Sequence, residues 1–219
     1  MTQTTAPNTA TREDGGAPAS ELTTTFELRL GAAEDALAQA LRPGSASGRT
    51  PFDAAAEASE KARRRSVQAE LDTEAVSMLV DSGQLRSARA LLSGRLDEQC
   101  QKAGRGAAEA EAIAAQMTDD LERAQRAAEQ AQSLLDQAER PDSGVDGRWL
   151  AQAGERSAAL KGRIAQASAQ AAEARETAFM ALAQTVAARI GRSLAESDLE
   201  RAELGDQIVQ IESVLPASA

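Results

Sequence analysis

Apolar residues recur along the middle of the chain with a strict alternation of four and three residues. Thirteen consecutive positions of this spacing are apolar, and eight of the thirteen are alanine. A repeat that averages 3.5 residues keeps one side of a helix facing a partner helix, so the pattern predicts a coiled coil with closely spaced helices. These positions, named here the first seam, are Leu96, Cys100, Ala103, Ala107, Ala110, Ala114, Met117, Leu121, Ala124, Ala128, Ala131, Leu135 and Ala138.

A second seam of the same spacing follows residues 141–147, where proline and glycine interrupt the helix. Because this connection is short, the next helix must return antiparallel, and facing positions such as Ala107 and Ala181 have residue numbers that add up to 288. The second seam is Leu150, Ala153, Ser157, Leu160, Ile164, Ala167, Ala171, Ala174, Ala178 and Ala181. Beyond Ala181 we expect the buried face to move onto the larger side chains Phe179, Leu182, Val186, Ile190 and Leu194.

Changes in composition divide the rest of the chain into a tail, a short helix, a linker and a helical bundle. Residues 1–20 have no periodicity and are rich in Thr, Ala, Gly and Pro, which predicts a disordered tail. Residues 21–42 predict a short amphipathic helix, residues 43–50 a linker, and residues 51–219 a helical bundle that includes the hairpin.

The predicted fold is therefore all-α: a long antiparallel, alanine-rich coiled-coil hairpin that protrudes from a small helical-bundle base and follows a disordered N-terminus. The arms of the hairpin cover about residues 85–140 and 148–196, and its tip covers residues 141–147. Ser197 and Glu200 have the spacing of a capping box, so the residues after 196 form either a separate last helix or a continuation of the second arm.

Residue types exclude several kinds of chemistry. The chain has no histidine, one cysteine and 2% aromatic residues, so histidine-dependent catalysis and the usual zinc and carboxylate-bridged dimetal sites cannot form. We expect no catalytic residues, cofactor, metal or small-molecule substrate. A net charge of −10 argues against nucleic-acid binding and makes binding to anionic membranes unlikely.

Candidate binding residues lie in two places. Trp149 stands at the predicted tip, where it either packs on the seam or anchors a partner, because tryptophan is enriched at binding hot spots. The helix of residues 21–42 presents an apolar face that a partner groove could bind. For the basic cluster of residues 61–65 we expect neutralisation by the acidic helix of about residues 85–140 rather than by an acidic partner. The apolar face is Phe26, Leu30, Leu37 and Leu41.

The function that these features favour is that of a non-enzymatic adaptor or scaffold, which binds another protein or a second copy of itself. Two alternatives remain open: a membrane-surface or envelope-stress protein, and an accessory, regulatory or cargo subunit of an enzyme complex. A cytoplasmic location is expected, since residues 1–20 have no apolar stretch of the kind found in signal peptides.

Overall fold

The computed structural model describes residues 19–43 and 48–214, and within them every regular element is a helix, with no β-strand. This confirms the all-α prediction. The predicted tail lies outside the described residues except for Ala19 and Ser20, which begin the first helix, and residues 44–47 of the linker also lie outside them. The elements are α1 Ala19–Ala40, α2 Pro51–Asp81, α3 Leu85–Leu91, a π-helical segment Leu92–Leu96, α4 Asp97–Ala138 and α5 Gly147–Val214.

The described residues divide into two compact units. The first unit contains residues 19–36 and 123–164, which are most of α1, the end of α4 and the start of α5. The second unit contains residues 37–43, 48–122 and 165–214, and in it α2, α4 and α5 pack together around small side chains.

Local signals explain where α2 begins and ends. The Thr50 hydroxyl accepts a hydrogen bond from the backbone N–H of Asp53 at 3.2 Å, and Pro51 occupies the first helical position. Proline suits that position because its missing N–H would have no partner there. After α2 the chain turns through Gly83, whose φ of 71° is a left-handed conformation that glycine adopts without steric cost.

All thirteen positions of the first seam are buried, and none is more than 3% exposed. In the second unit the alanines meet at the positions that the constant sum of 288 requires: Ala110 lies in one buried cluster with Ala178, and Ala107 in another with Ala181. The matching numbers show that α4 and α5 run antiparallel in this unit.

The helix α2 completes the second unit by adding a third alanine to each cluster. Ala58 joins Ala110 and Ala178, and Ala62 joins the next cluster along. From the first cluster to the second, residue numbers rise on both helices, from Ala58 to Ala62 on α2 and from Ala178 to Ala181 on α5, so α2 runs parallel to α5. Contact with α4 is close: a Cβ on Gly106 would lie 3.3 Å from the Ala58 carbonyl oxygen and from the Ala62 Cβ.

The predicted move of the buried face beyond Ala181 is wrong. The four-three spacing continues, interrupted only by the partly exposed Arg192, and the larger side chains that we expected inside are exposed, with the exception of the half-buried Leu182. The core of this part of the second unit already contains Val76 of α2 and Leu92 and Leu96 of the π-helical segment, and α5 contributes mostly small residues to it. The residues that continue the buried seam are Thr185, Ala188, Ala195 and Leu199, whereas Phe179, Val186, Ile190 and Leu194 are 47–68% exposed.

Two further features concern helix continuity. Ser197 lies inside α5, where its hydroxyl donates to the Ser193 carbonyl oxygen, so the last residues continue the second arm rather than form a separate helix. The π-helical segment at Leu92–Leu96 has no counterpart in the sequence prediction. Ala88, Leu92, Leu96 and Cys100 are all buried at intervals of four, which exceeds the 3.6 residues of an α-helical turn, and the wider π turn absorbs the difference.

Candidate interaction surface

In the first unit, Trp149 makes an aromatic contact with α1. Its ring meets the ring of Phe26 edge to face, with the centroids 5.2 Å apart and the planes at 77°. Two turns further along α5, Arg156 Nη1 donates to both carboxylate oxygens of Glu27, at 3.0 and 2.9 Å. An aromatic pair of this geometry adds about 0.5–1.5 kcal/mol beyond its buried area, so these two contacts fix the start of α1 on α5.

The face of α1 that was predicted to bind a partner is buried in this conformation. Phe26, Leu30 and Leu37 are fully buried, and Leu41 is half-buried, as is Trp149. Their burial explains their apolar character without a partner. Binding of a partner by these residues stays a prediction, and it would require α1 to leave its place.

The basic cluster on α2 is neutralised mainly by its own helix rather than by α4 as expected. Glu60 accepts hydrogen bonds from Arg63 Nε at 3.0 Å and Arg64 Nε at 2.8 Å, and Lys61 Nζ lies 2.7 Å from Glu57. The hydrogen bonds from the two arginines, led by that from Arg64, lower the pKa of Glu60, so this carboxylate is charged at neutral pH.

A basic hollow of about 490 Å³ adjoins this cluster. It offers guanidinium groups that suit carboxylates and phosphates. However, three of its four cations already have an acidic partner in the chain: Lys61 has Glu57, Arg64 has Glu60, and Arg95 Nε lies 3.0 Å from Asp72. The hollow is lined by Lys61, Arg64, Arg65, Gln68, Arg95 and Gln99.

A larger hollow of about 770 Å³ lies between the end of α1, the start of α2 and the middle of α4, with Pro43, Ala54, Ile113 and Met117 among its lining residues. Its volume is in the range of ligand pockets. Among its described lining residues, the buried charged one, Asp120, already accepts hydrogen bonds from Gln116, so the hollow supports no assignment of a ligand.

The most prominent surface feature is a row of large apolar side chains on α5, all in the second unit. Each is 47–68% exposed. Sequence reasoning missed it, because bulky apolar residues were assumed to be inside; the uninterrupted small-residue spacing of the seam was the signal that could have placed them outside. This row, named here the α5 stripe, consists of Phe179, Val186, Ile190, Leu194, Leu204, Ile208 and Ile211.

The described residues offer little for catalysis. They contain no group of three acidic or cysteine side chains that could hold a metal ion. Cys100 is buried in the first seam, with Sγ 3.9 Å from the Ala188 carbonyl oxygen, and burial raises the pKa of its thiol. A thiol that stays protonated is a poor nucleophile.

Among the described helices none has a stretch long and apolar enough to cross a membrane. The cytoplasmic location stays a prediction. No family model, no curated protein and no solved structure matches the chain. The surface of the molecule, and above all the α5 stripe, is therefore the guide to its function.

Proposed function

We propose that this chain is a non-enzymatic helical adaptor or scaffold that binds another protein, or a second copy of itself, through the α5 stripe. The observation that carries the proposal is the exposure of seven large apolar side chains on one helix. At about half exposure they leave on the order of several hundred Å² of apolar surface in water, and contiguous apolar patches of that size mark interaction sites on monomeric proteins.

We also propose that α4 and α5 pair as an antiparallel coiled coil within each unit. In the second unit the proposal is supported by the two alanine pairs at a sum of 288. In the first unit Gln132 Oε1 accepts hydrogen bonds from Ser157 Oγ at 3.1 Å and Lys161 Nζ at 2.9 Å. Small seam residues allow the backbones to approach, which gives a stiff support for the exposed stripe.

The membrane-surface alternative loses support from the structure. It required the first or the last helix to lie on lipid, and the apolar face of the first helix, Phe26, Leu30 and Leu37, is buried. The last helix does expose apolar residues, which belong to the α5 stripe. The end of the α5 stripe is flanked by acidic residues such as Glu200, Glu203 and Asp206, which anionic head groups repel. No observation favours the enzyme-subunit alternative over the adaptor.

Affinity purification with mass spectrometry tests the adaptor proposal. We expect Ile190→Glu to lose the proteins that the wild type recovers, since it places a charge in the stripe. Met180→Glu is the matched control, because Met180 is 55% exposed and Ile190 57% exposed on the same helix but on different faces; it should retain them. Loss with Trp149→Ala alone would instead assign binding to the first unit, and recovery of the same proteins by Ile190→Glu would refute the role of the stripe.

A further inference from the structure

We infer that the α5 stripe binds the same stripe of a second copy, with the two α5 helices antiparallel about a twofold axis at Ser197. The inference rests on the proposed function and names its partner. It is carried by three observations on the described residues: the symmetry of the stripe about one position, the separation of charge along it, and its length.

The residues of the stripe can be paired symmetrically around one position, so that the numbers of facing residues have a constant sum. An antiparallel pair with a twofold axis at Ser197 requires that facing residue numbers add up to 394, and Val186 and Ile190 of the first half then face large apolar side chains of the second half. Ser197, which is small and exposed, falls on the axis itself. Isologous twofold contacts of this kind are the commonest way in which identical chains associate. The facing residues are Ala183 with Ile211, Val186 with Ile208, and Ile190 with Leu204.

Leu194 is the one large residue without an apolar counterpart at this sum. The sum places it opposite Glu200, next to Arg201. Arg201 is highly exposed, with Nη1 donating to Asp198 at 3.1 Å. Its aliphatic stem can therefore cover the partner's Leu194 while the charged end stays in water.

Charge along α5 favours the antiparallel direction. Residues 179–192 contain two arginines, Arg189 and Arg192, and no acidic residue, so their net charge is +2. Residues 196–211 contain five acidic residues and one arginine, which gives −4. Both arginines face α4 rather than the stripe, because Arg192 Nε lies 3.0 Å from Asp97 and the Arg189 guanidinium lies over Gly104. Antiparallel pairing therefore sets each acidic half against a half without acidic residues, whereas parallel pairing sets −4 against −4. A charge distribution of this kind selects orientation more than it adds affinity.

The contact area is sufficient for a specific dimer. From Phe179 to Ile211 the stripe is about 48 Å long at 1.5 Å per residue, and a helix is about 10 Å wide, so each copy contributes on the order of 500 Å². Two copies bury about 1,000 Å², which is near the lower limit of specific protein interfaces. The inferred dimer is therefore of moderate affinity and depends on protein concentration.

Sedimentation equilibrium of the full chain is the first test. We expect a species of twice the 22.9 kDa chain mass. Ile190→Glu, which enters the interface twice by symmetry, should raise the dimer Kd by about a hundredfold or more, and Met180→Glu should not change it. A wild-type chain that stays monomeric up to about 100 μM would overturn the inference, because such a Kd is too weak for an interface of this size.

Cysteine cross-linking then tests the direction and register, in a Cys100→Ala background. Ser197→Cys should form an intermolecular disulfide with itself, because the axis brings the two copies together. Ala183→Cys alone should not, since its copies would be about 42 Å apart along the helices and a disulfide requires Cα atoms within about 7 Å. A mixture of Ala183→Cys with Ile211→Cys should cross-link.

Three outcomes contradict the inference in different ways. Self-cross-linking of Ala183→Cys as strong as that of Ser197→Cys would show a parallel dimer. A monomeric chain that still recovers a cellular protein through Ile190 would overturn the second copy as occupant but leave the adaptor proposal standing. Conversely, if the chain forms the expected cross-links but still dimerises with Ile190→Glu, the α5 stripe does not hold the dimer together.

Discussion

The alanine layer formed by Ala58, Ala110 and Ala178 sets how closely three helices approach, and it is the place where a single substitution tests the fold most directly. The three residues are 4%, 0% and 1% exposed and come from α2, α4 and α5. Ala178→Leu adds three carbon atoms to this layer. No large side chain of the layer can change its rotamer to make room, so the helices themselves must move apart.

The expected cost follows from the packing. Extra methylenes in a packed core cost about 1–3 kcal/mol, and the absence of adjustable neighbours places Ala178→Leu near the upper end. For a chain of 219 residues a loss of about 3 kcal/mol lowers Tm by roughly 6–12 °C. Ala169→Leu is the matched control: it lies nine residues away, which is two and a half turns, on the exposed opposite face of α5. It should change Tm by no more than about 2 °C.

Thermal melting followed by circular dichroism at 222 nm, with both variants at equal concentration, is the assay. Equal concentration matters because any dimer raises the apparent stability of the folded state by mass action. If Ala178→Leu melts within 2 °C of Ala169→Leu, or above it, the layer has unfilled space, and the close approach of the three helices is not what holds the second unit together.

Three further predictions use the same melting assay. Ser59→Ala should raise stability by about 1 kcal/mol, because the buried Ser59 hydroxyl has no hydrogen-bond partner, whereas Ser66→Ala should not, because the Ser66 hydroxyl is bonded; equal effects would contradict this. Ala114→Glu should cost at least about 3 kcal/mol, since it places a charge at a fully buried position, and an unchanged melting curve would refute that burial. The hydrogen bond from Arg89 lowers the pKa of the Glu203 carboxyl below its ordinary value of 4.5. The stability that this pair adds is therefore complete above pH 4.5 and is lost as the pH falls through the lower pKa of the folded state. Glu203→Gln should lose less stability on acidification than the wild type, and parallel pH profiles would show that the pair adds none.

The sequence was sufficient to predict the burial of the first seam, because a strict spacing over thirteen positions leaves only one side of a helix to face inward. The facing of Ala107 with Ala181 followed from the short connection at residues 141–147. Both inferences depend on geometry alone, and side-chain size does not enter them.

Inferences that used side-chain size failed. The large residues Phe179, Val186 and Ile190 were expected inside, although α2 and the π-helical segment already place large side chains in the core and α5 contributes mostly small residues to it. A hydrophobicity pattern cannot show how wide a groove is until the neighbouring helix is known. For the same reason neither the approach of Gly106 to α2 nor the contact between Phe26 and Trp149 could be predicted from the sequence.

The small seam and the exposed stripe have one physical cause. Fully burying a leucine or isoleucine side chain contributes about 1.5–3 kcal/mol, whereas an alanine methyl contributes about 0.8. A core built on alanines such as Ala107, Ala110 and Ala178 therefore stabilises the second unit less per residue, while Val186, Ile190, Leu204 and the rest of the stripe remain in water. The arrangement becomes favourable if a partner buries the stripe. In the inferred dimer a second α5 helix does so, with each acidic half against a half that has no acidic residue.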